Sequence, residues 1–170
     1  FQVSRALGWD FVPPTVLSNG FLGPGAVQLF IEADAEAHYF TLREEHPFVF
    51  QRVAAFDFIV NNADRKGGHC LLGNDNHIWV IDHGLTFHSE YKLRTVIWDF
   101  AEQPIPDDIL NDLNRLQRSL DQTSSPLLDE LAHLITHHEI EMFRRRIDHL
   151  VTTGTFPSPG AGRNMPYPPI

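Results

Sequence analysis

One cysteine, Cys70, among 170 residues excludes an intramolecular disulfide. Its place in an apolar run reads as a small buried hydrophobe in a reducing compartment, and the expected localisation is cytoplasmic. Lysine is almost as scarce, with Lys66 and Lys92 the only two. Positive charge is outnumbered overall, 13 Lys and Arg against 22 Asp and Glu for a net −9. That balance argues against a broad nucleic-acid footprint and against a strong electrostatic hold on an anionic membrane. No stretch has the form of a signal peptide and no apolar run is long enough to span a bilayer, so stable membrane insertion is not expected. What is present, 42% apolar and 21% charged residues, is an ordinary globular composition, enough for one domain with a real core or for one lobe and part of another.

The chain is organised around Phe56 to Phe87, FDFIVNNADRKGGHCLLGNDNHIWVIDHGLTF. Two apolar runs, Cys70-Leu71-Leu72 and Ile78-Trp79-Val80-Ile81, flank the turn former Gly73-Asn74-Asp75-Asn76 and read as a β-hairpin. Its outer ends would bring Asp64, His69 and Asp82 close in space. Such a set suits phosphoryl transfer: one carboxylate, Asp64, accepts a hydroxyl proton, while Asp82 and the neutral ligand His69 hold Mg²⁺ on the phosphates. The alternative is that these acids are turn residues beside a solvated hairpin, chosen for local reasons. Four histidines in one short region also raise a zinc site, against which stand the single thiol and the lack of paired ligand spacings.

The segments Asp64-Arg65-Lys66-Gly67-Gly68-His69 and Ile81-Asp82-His83-Gly84-Leu85 resemble the catalytic and metal-binding loops of phosphoinositide 3- and 4-kinases. The longer stretches LGWDFVPPTVL, VQLFIE, NNADRKGGH, IDHGLTFH, KLRTVIWDF and IPDD are similar to an actinobacterial phosphatidylinositol 3-/4-kinase-like group, and that likeness covers most of the chain. It implies ATP as the donor, Mg²⁺ or Mn²⁺ as the ion, and a hydroxyl acceptor that is a phosphoinositide, a protein or a small metabolite. Gln28, Leu29, Phe30 and Glu32 would be the hinge that carries adenine. Arg65 or Lys66 would stabilise charge near the transferred group, and Lys92 and Arg94, two apart on an extended chain, would face an anionic acceptor. His69 stands where those kinases have Asn, and imidazole favours softer ions than Mg²⁺. Neither lysine precedes the catalytic loop, so neither is the lysine that contacts the α/β-phosphates.

In chain order, Phe1, Val3, Ala6 and Leu7 share one helical side and Gly8 is placed to end the helix. The start at Phe1 carries the expectation of a missing upstream segment, by resemblance the glycine-rich strands and lysine of an N-lobe. Thr15-Val16-Leu17 and Ala26 to Ile31 read as an antiparallel pair about a glycine-rich turn. Ala33 to Phe50 is polar and mixed. Phe48 to Asn61 has the pattern of a buried helix feeding the catalytic loop, with Asn61 and Asn62 as caps. Three helices follow, beginning at Ile105-Pro106-Asp107-Asp108, at Ser124-Ser125-Pro126 and at Glu139, the last carrying Arg144-Arg145-Arg146 mostly outward. Five prolines from Gly154 to Ile170 make an irregular tail whose Phe156, Tyr167 and Ile170 suggest packing on the domain.

The expected fold is α+β: residues 1–32 a partial antiparallel N-lobe and hinge, 33–153 a mostly helical kinase-like C-lobe with the catalytic hairpin, 154–170 the tail. The expected function is ATP-dependent phosphoryl transfer to a hydroxyl, slow or absent in this chain without the lid and lysine. Its alternative is a pseudokinase that binds nucleotide or a protein partner without chemistry. A homodimer through the exposed N-lobe surface is the further partner reading.

Overall fold

The computed structural model describes residues 1–122 and 124–170. It opens with helix α1 (Gln2–Leu7), closed by Gly8 at φ +74°, a left-handed position that glycine takes without Cβ strain. Val3, Ser4 and Leu7 are its buried residues, whereas Ala6 faces out. The Trp9 indole N–H donates to Asp112 at 2.7 Å and Arg115 donates to the Leu7 carbonyl at 2.8 Å. The amino-terminal segment is thereby fastened to the later helices.

Strands β1 (Thr15–Gly20) and β2 (Gly23–Gln28) form an antiparallel ribbon with Thr15 opposite Gln28 and Gly20 opposite Gly23. The glycines expected to make the turn lie within the strands, and the tip is Phe21-Leu22, both fully exposed. Val16, Leu17 and Val27 are exposed as well. Leu29 to Ile31, expected to continue the strand, leave it. Among the described residues the ribbon has no third strand.

Helix α2 (Tyr39–Leu42) buries Tyr39 completely and joins its hydroxyl to Asp99. Helix α3 (Pro47–Val60) begins with proline in its first turn, where the missing N–H costs nothing. It is apolar on most sides: Phe50, Val53, Ala55, Phe56, Phe58, Ile59 and Val60 are all buried, so it lies inside the core rather than on it. Asn61 stops it in the left-handed conformation at φ +55°, which asparagine tolerates better than most residues. The second ribbon pairs β3 (Cys70–Leu72) with β4 (Ile78–Val80), Cys70 opposite Val80, forming the hairpin expected.

Helices α4 (Asp107–Leu120), α5 (Pro126–Ala132) and α6 (His137–Thr153) complete six helices and two small antiparallel sheets among the described residues. Asp107 and Asp108 occupy the first turn of α4, where carboxylates complement the helix dipole. Ile109, Leu113, Leu116 and Leu120 bury its inner face. A reciprocal Thr136–Glu139 capping box starts α6, satisfying two otherwise free N–H groups. Of the arginine run, Arg145 meets Glu141 and Arg144 meets Asp121 near the surface. Arg146 departs from the outward reading: it is buried and donates to the Ile59 carbonyl at 2.8 Å. It thus caps the carboxyl-terminal end of α3. No helix of the described residues is long and apolar enough to cross a membrane.

Candidate functional site

The site is built where α3 ends. Asp57, one helical turn before that end, is a fully buried acid in an otherwise apolar segment, and a carboxylate there must find a counter-charge or lose its own. Its partner is Arg65, also fully buried, which donates through Nε at 2.8 Å and Nη2 at 2.9 Å to the two carboxylate oxygens. Burial works against the Arg65 charge, but Asp57 outweighs it and holds the guanidinium protonated above its ordinary range. The remaining donors point across the site. Nη1 reaches the Ile81 carbonyl at 2.8 Å and Nη2 reaches His83 Nε2 at 2.7 Å. One side chain therefore joins α3, the loop from Asn61 to His69 and the loop that follows β4.

This corrects the place expected for Arg65. Four of its five guanidinium N–H groups are taken up by Asp57, the Ile81 carbonyl and His83 inside the protein, so what the structure shows it doing is positioning the loops. Asn62, also buried, adds a second tie by donating to Asp57 at 3.0 Å and accepting from the Asp64 N–H at 3.1 Å. Asp57 is the part of the site that the sequence reading did not assign, and Asn62, read there as a helix cap, also ties the loop. The available signal was a lone acid at position 57 in the buried run Phe56 to Val60.

Asp64 itself is only partly covered, and its carboxylate lies 3.3 Å from Lys66 Nζ. Lys66 is the cation that reaches the site's surface. His69 Nε2 lies 3.4 Å from Asp82 Oδ2, with the imidazole mostly buried and the Asp82 carboxylate 60% exposed. Burial, helped by Arg65, lowers the His69 pKa, and Asp82 and Asp64 pull weakly the other way. His69 is therefore a neutral ring. Its Nδ1 faces the Lys66 N–H at 3.4 Å. Asp82 sits at φ +57°, a strained region for a residue with a side chain that Asp and Asn enter more readily than others. Phe87 at φ +64° closes the same loop.

The expected convergence of Asp64, His69 and Asp82 on one ion is met in part. His69 and Asp82 are paired, Asp64 turns to Lys66, and no group of three or more His, Cys, Asp or Glu able to hold a metal ion exists among the described residues. Cys70 is fully buried and its thiol is pushed up to about 12 by burial, so it is an inert core group.

Beside Asp82, His83 and Gly84 opens a cleft of about 820 Å³, walled by α1, the β1–β2 ribbon and α5 and lined mainly by apolar side chains. Of the four hinge candidates only Gln28 borders it. Leu29 and Phe30 are exposed, and Glu32 accepts from Asn74 in the β3–β4 turn at 3.4 Å. Lys92 pairs with Glu90 at 2.8 Å. Arg94 lies on a segment stitched to the loop after α3, its N–H donating to the Asn62 carbonyl and its carbonyl accepting from the Arg65 N–H, both at 2.9 Å.

His83 gives a pH signature. Arg65 can only donate, so His83 Nε2 must accept and the ring is neutral. Burial, followed by Arg65, holds its pKa well below the ordinary 6.5. The unfolded chain then binds a proton that the folded chain refuses. Stability is full above pH 6.5 and falls as pH drops below it, by up to about 1.4 kcal/mol per pH unit for this group. His83→Gln, which keeps an acceptor for Arg65, is expected to flatten that slope between pH 6.5 and 5 in denaturant titrations. An unchanged slope would mean the imidazole is protonated in the fold.

No family model matches the chain, and no solved structure matches it. It is 33% identical over 203 aligned residues to Protein Rv2133c of Mycobacterium tuberculosis (strain ATCC 25618 / H37Rv), a match that takes in 99% of this chain and 72% of that protein. At that identity and coverage, the chain belongs to the family of Protein Rv2133c.

Proposed function

We propose that the chain is the helical, kinase-like part of a phosphotransferase that moves a phosphoryl group from ATP to a hydroxyl acceptor. The observation that carries this reading is the Arg65 clamp: by holding Asp57, Ile81 and His83 together it sets the Asp64 loop and the Asp82 loop side by side, with both carboxylates left accessible. Phosphoryl transfer is mostly positioning and charge stabilisation, and the clamp fixes one acid, Asp82, at the edge of the cleft and a second, Asp64, on the neighbouring loop.

Asp64, partly accessible, would take the proton of the acceptor hydroxyl, and Lys66 at 3.3 Å would shift towards the charge that develops on the phosphoryl oxygens. Asp82 and neutral His69 would hold Mg²⁺ or Mn²⁺. Two side chains suit an ion that keeps several waters and takes the rest of its shell from phosphate oxygens, and the exposure of Asp82 leaves room for them. The ion would supply neutralisation of phosphate charge. The 820 Å³ cleft bordered by Asp82 and Gln28 would take the nucleotide, with Lys92 and Arg94 on the acceptor side.

Calorimetric titration of ATP with Mg²⁺ and with Mn²⁺ tests the ion site. Asp82→Asn keeps the left-handed backbone and removes only the charge, so it is expected to weaken ion-dependent nucleotide binding about tenfold or more while leaving stability within roughly 0.5 kcal/mol. Equal binding by both chains would remove Asp82 from the site. A second reading, a pseudokinase that binds without turnover, is favoured by one observation: Asp64 pairs with Lys66, and no group of three or more His, Cys, Asp or Glu able to hold an ion forms among the described residues. Nucleotide binding with no transfer by the unmodified chain would select it.

A further inference from the structure

The tail is not merely packed on the domain; its far end lies on the catalytic loop. The Gly67 N–H donates to the Pro169 carbonyl at 2.7 Å. The Thr95 N–H and the Trp98 indole N–H both donate to the Asn164 carbonyl at 3.1 Å. Thr95 itself is bridged to Arg65, whose carbonyl accepts from the Val96 N–H at 3.1 Å. Residues 94–96 and the catalytic loop thus make one floor, and residues 164–170 lie across it. A Cβ on Gly67 would come within 2.9 Å of the Phe40 ring and 3.4 Å of the Pro169 oxygen, and one on Gly68 would sit 4.0 Å from Ile170 Cγ2. The segment thus passes within van der Waals reach of both glycines, while the space at Gly67 is set by the Phe40 ring.

The two halves of the tail are held very differently. At its base, Phe156 is buried and exchanges backbone hydrogen bonds with Glu102 and Gln103, both at 3.0 Å, and the Ile105 N–H donates to the Gly154 carbonyl at 2.9 Å. At its end, Met165, Tyr167 and Ile170 are exposed and Pro166 is the buried residue. Between them Gly160 and Gly162 touch nothing within 4 Å of a built Cβ, and Gly162 sits at φ +101°. A fixed base, a glycine turn braced by the Asn164 amide donating to the Gly160 carbonyl at 3.0 Å, and an end held by few hydrogen bonds is the construction of a segment that opens at low cost.

We propose that residues 160–170 are a displaceable strap over Gly67 and Gly68, closing the acceptor side of the catalytic loop until an acceptor lifts it. The acceptor part rests on the phosphoryl-transfer reading; the strap itself does not. Its partner is the protein's own floor of backbone N–H groups, which would also suit another extended, carbonyl-presenting segment.

Two measurements test it. Hydrogen exchange of residues 64–70 is compared between the full chain and a variant lacking residues 160–170. Exchange in that stretch is expected to quicken about fivefold or more, with α3 and the β3–β4 ribbon unchanged. No change, or loss of protection throughout the fold, would overturn the strap. The second uses Gly68→Cys with Ile170→Cys to lock the end in place. Transfer by the oxidised protein is expected to fall about tenfold against the same protein reduced, and equal rates would overturn the closure. Absence of turnover in every form, the unmodified chain included, would instead count against phosphotransferase activity, and the strap would then stand or fall on exchange alone.

Discussion

Arg65→Ala is expected to destabilise the fold by about 3–5 kcal/mol, the usual cost of removing one partner of a buried ion pair. The charge left behind is what makes it expensive. Asp57 would keep a fully buried carboxylate with only Asn62 to donate to its side chain, and the Ile81 carbonyl and His83 would lose their donor as well. Against a total stability of about 5–15 kcal/mol for an ordinary domain, urea unfolding should show either a much lower midpoint or a chain already unfolded. Arg65→Lys should not rescue it, because a single ammonium cannot replace a fork that meets two carboxylate oxygens, a carbonyl and an imidazole at once. Asp57→Leu combined with Arg65→Met removes both charges, and recovery of part of the loss there would assign the cost to the orphaned carboxylate. A single-variant loss below about 1 kcal/mol would mean the clamp is not what holds the two loops together.

Asp64→Asn has the other large effect, and of the opposite kind. The side chain is partly exposed and pairs, among the described residues, with Lys66, so stability should move by no more than roughly 0.5 kcal/mol. Phosphoryl transfer should nevertheless fall about 10²- to 10⁴-fold, the usual contribution of a positioned general base, with kcat carrying the loss and the nucleotide KM little changed. Steady-state transfer assays beside a denaturation curve separate the two. Unaltered turnover would remove Asp64 from the chemistry, and a large stability loss would make it a structural acid like Asp57. The contrast between positions 64 and 65, one dispensable for folding and the other not, is the sharpest check on the division between acting and positioning groups.

That division is also where sequence reading stopped. The β3–β4 ribbon was legible because alternating apolar runs and a Gly-Asn-Asp-Asn turn are local signals, and the meeting of His69 with Asp82 follows from its register. Helices α3, α4 and α6 were legible from the spacing of their core residues. The state of Arg65 was not: an arginine beside Asp64 in a polar loop reads as a surface cation until its partner, eight residues earlier inside an apolar helix, is known. Arg146 misled for the same reason, since only the tertiary fold puts the Ile59 carbonyl in front of it. The first ribbon was recognised as a pair, but the glycines that looked like its turn are strand residues and the apolar Phe21-Leu22 is the tip. The contact between Pro169 and Gly67 spans about a hundred positions and has no local signal.

The ribbon of β1 and β2 has a practical consequence. From Phe11 to Ile31 there is no ionisable side chain, so mutual repulsion, which the acidic remainder supplies elsewhere, is missing where two copies could most easily stick. Concentrated solutions should therefore scatter more light as sodium chloride is raised, because screening weakens the only force keeping these greasy fingers apart.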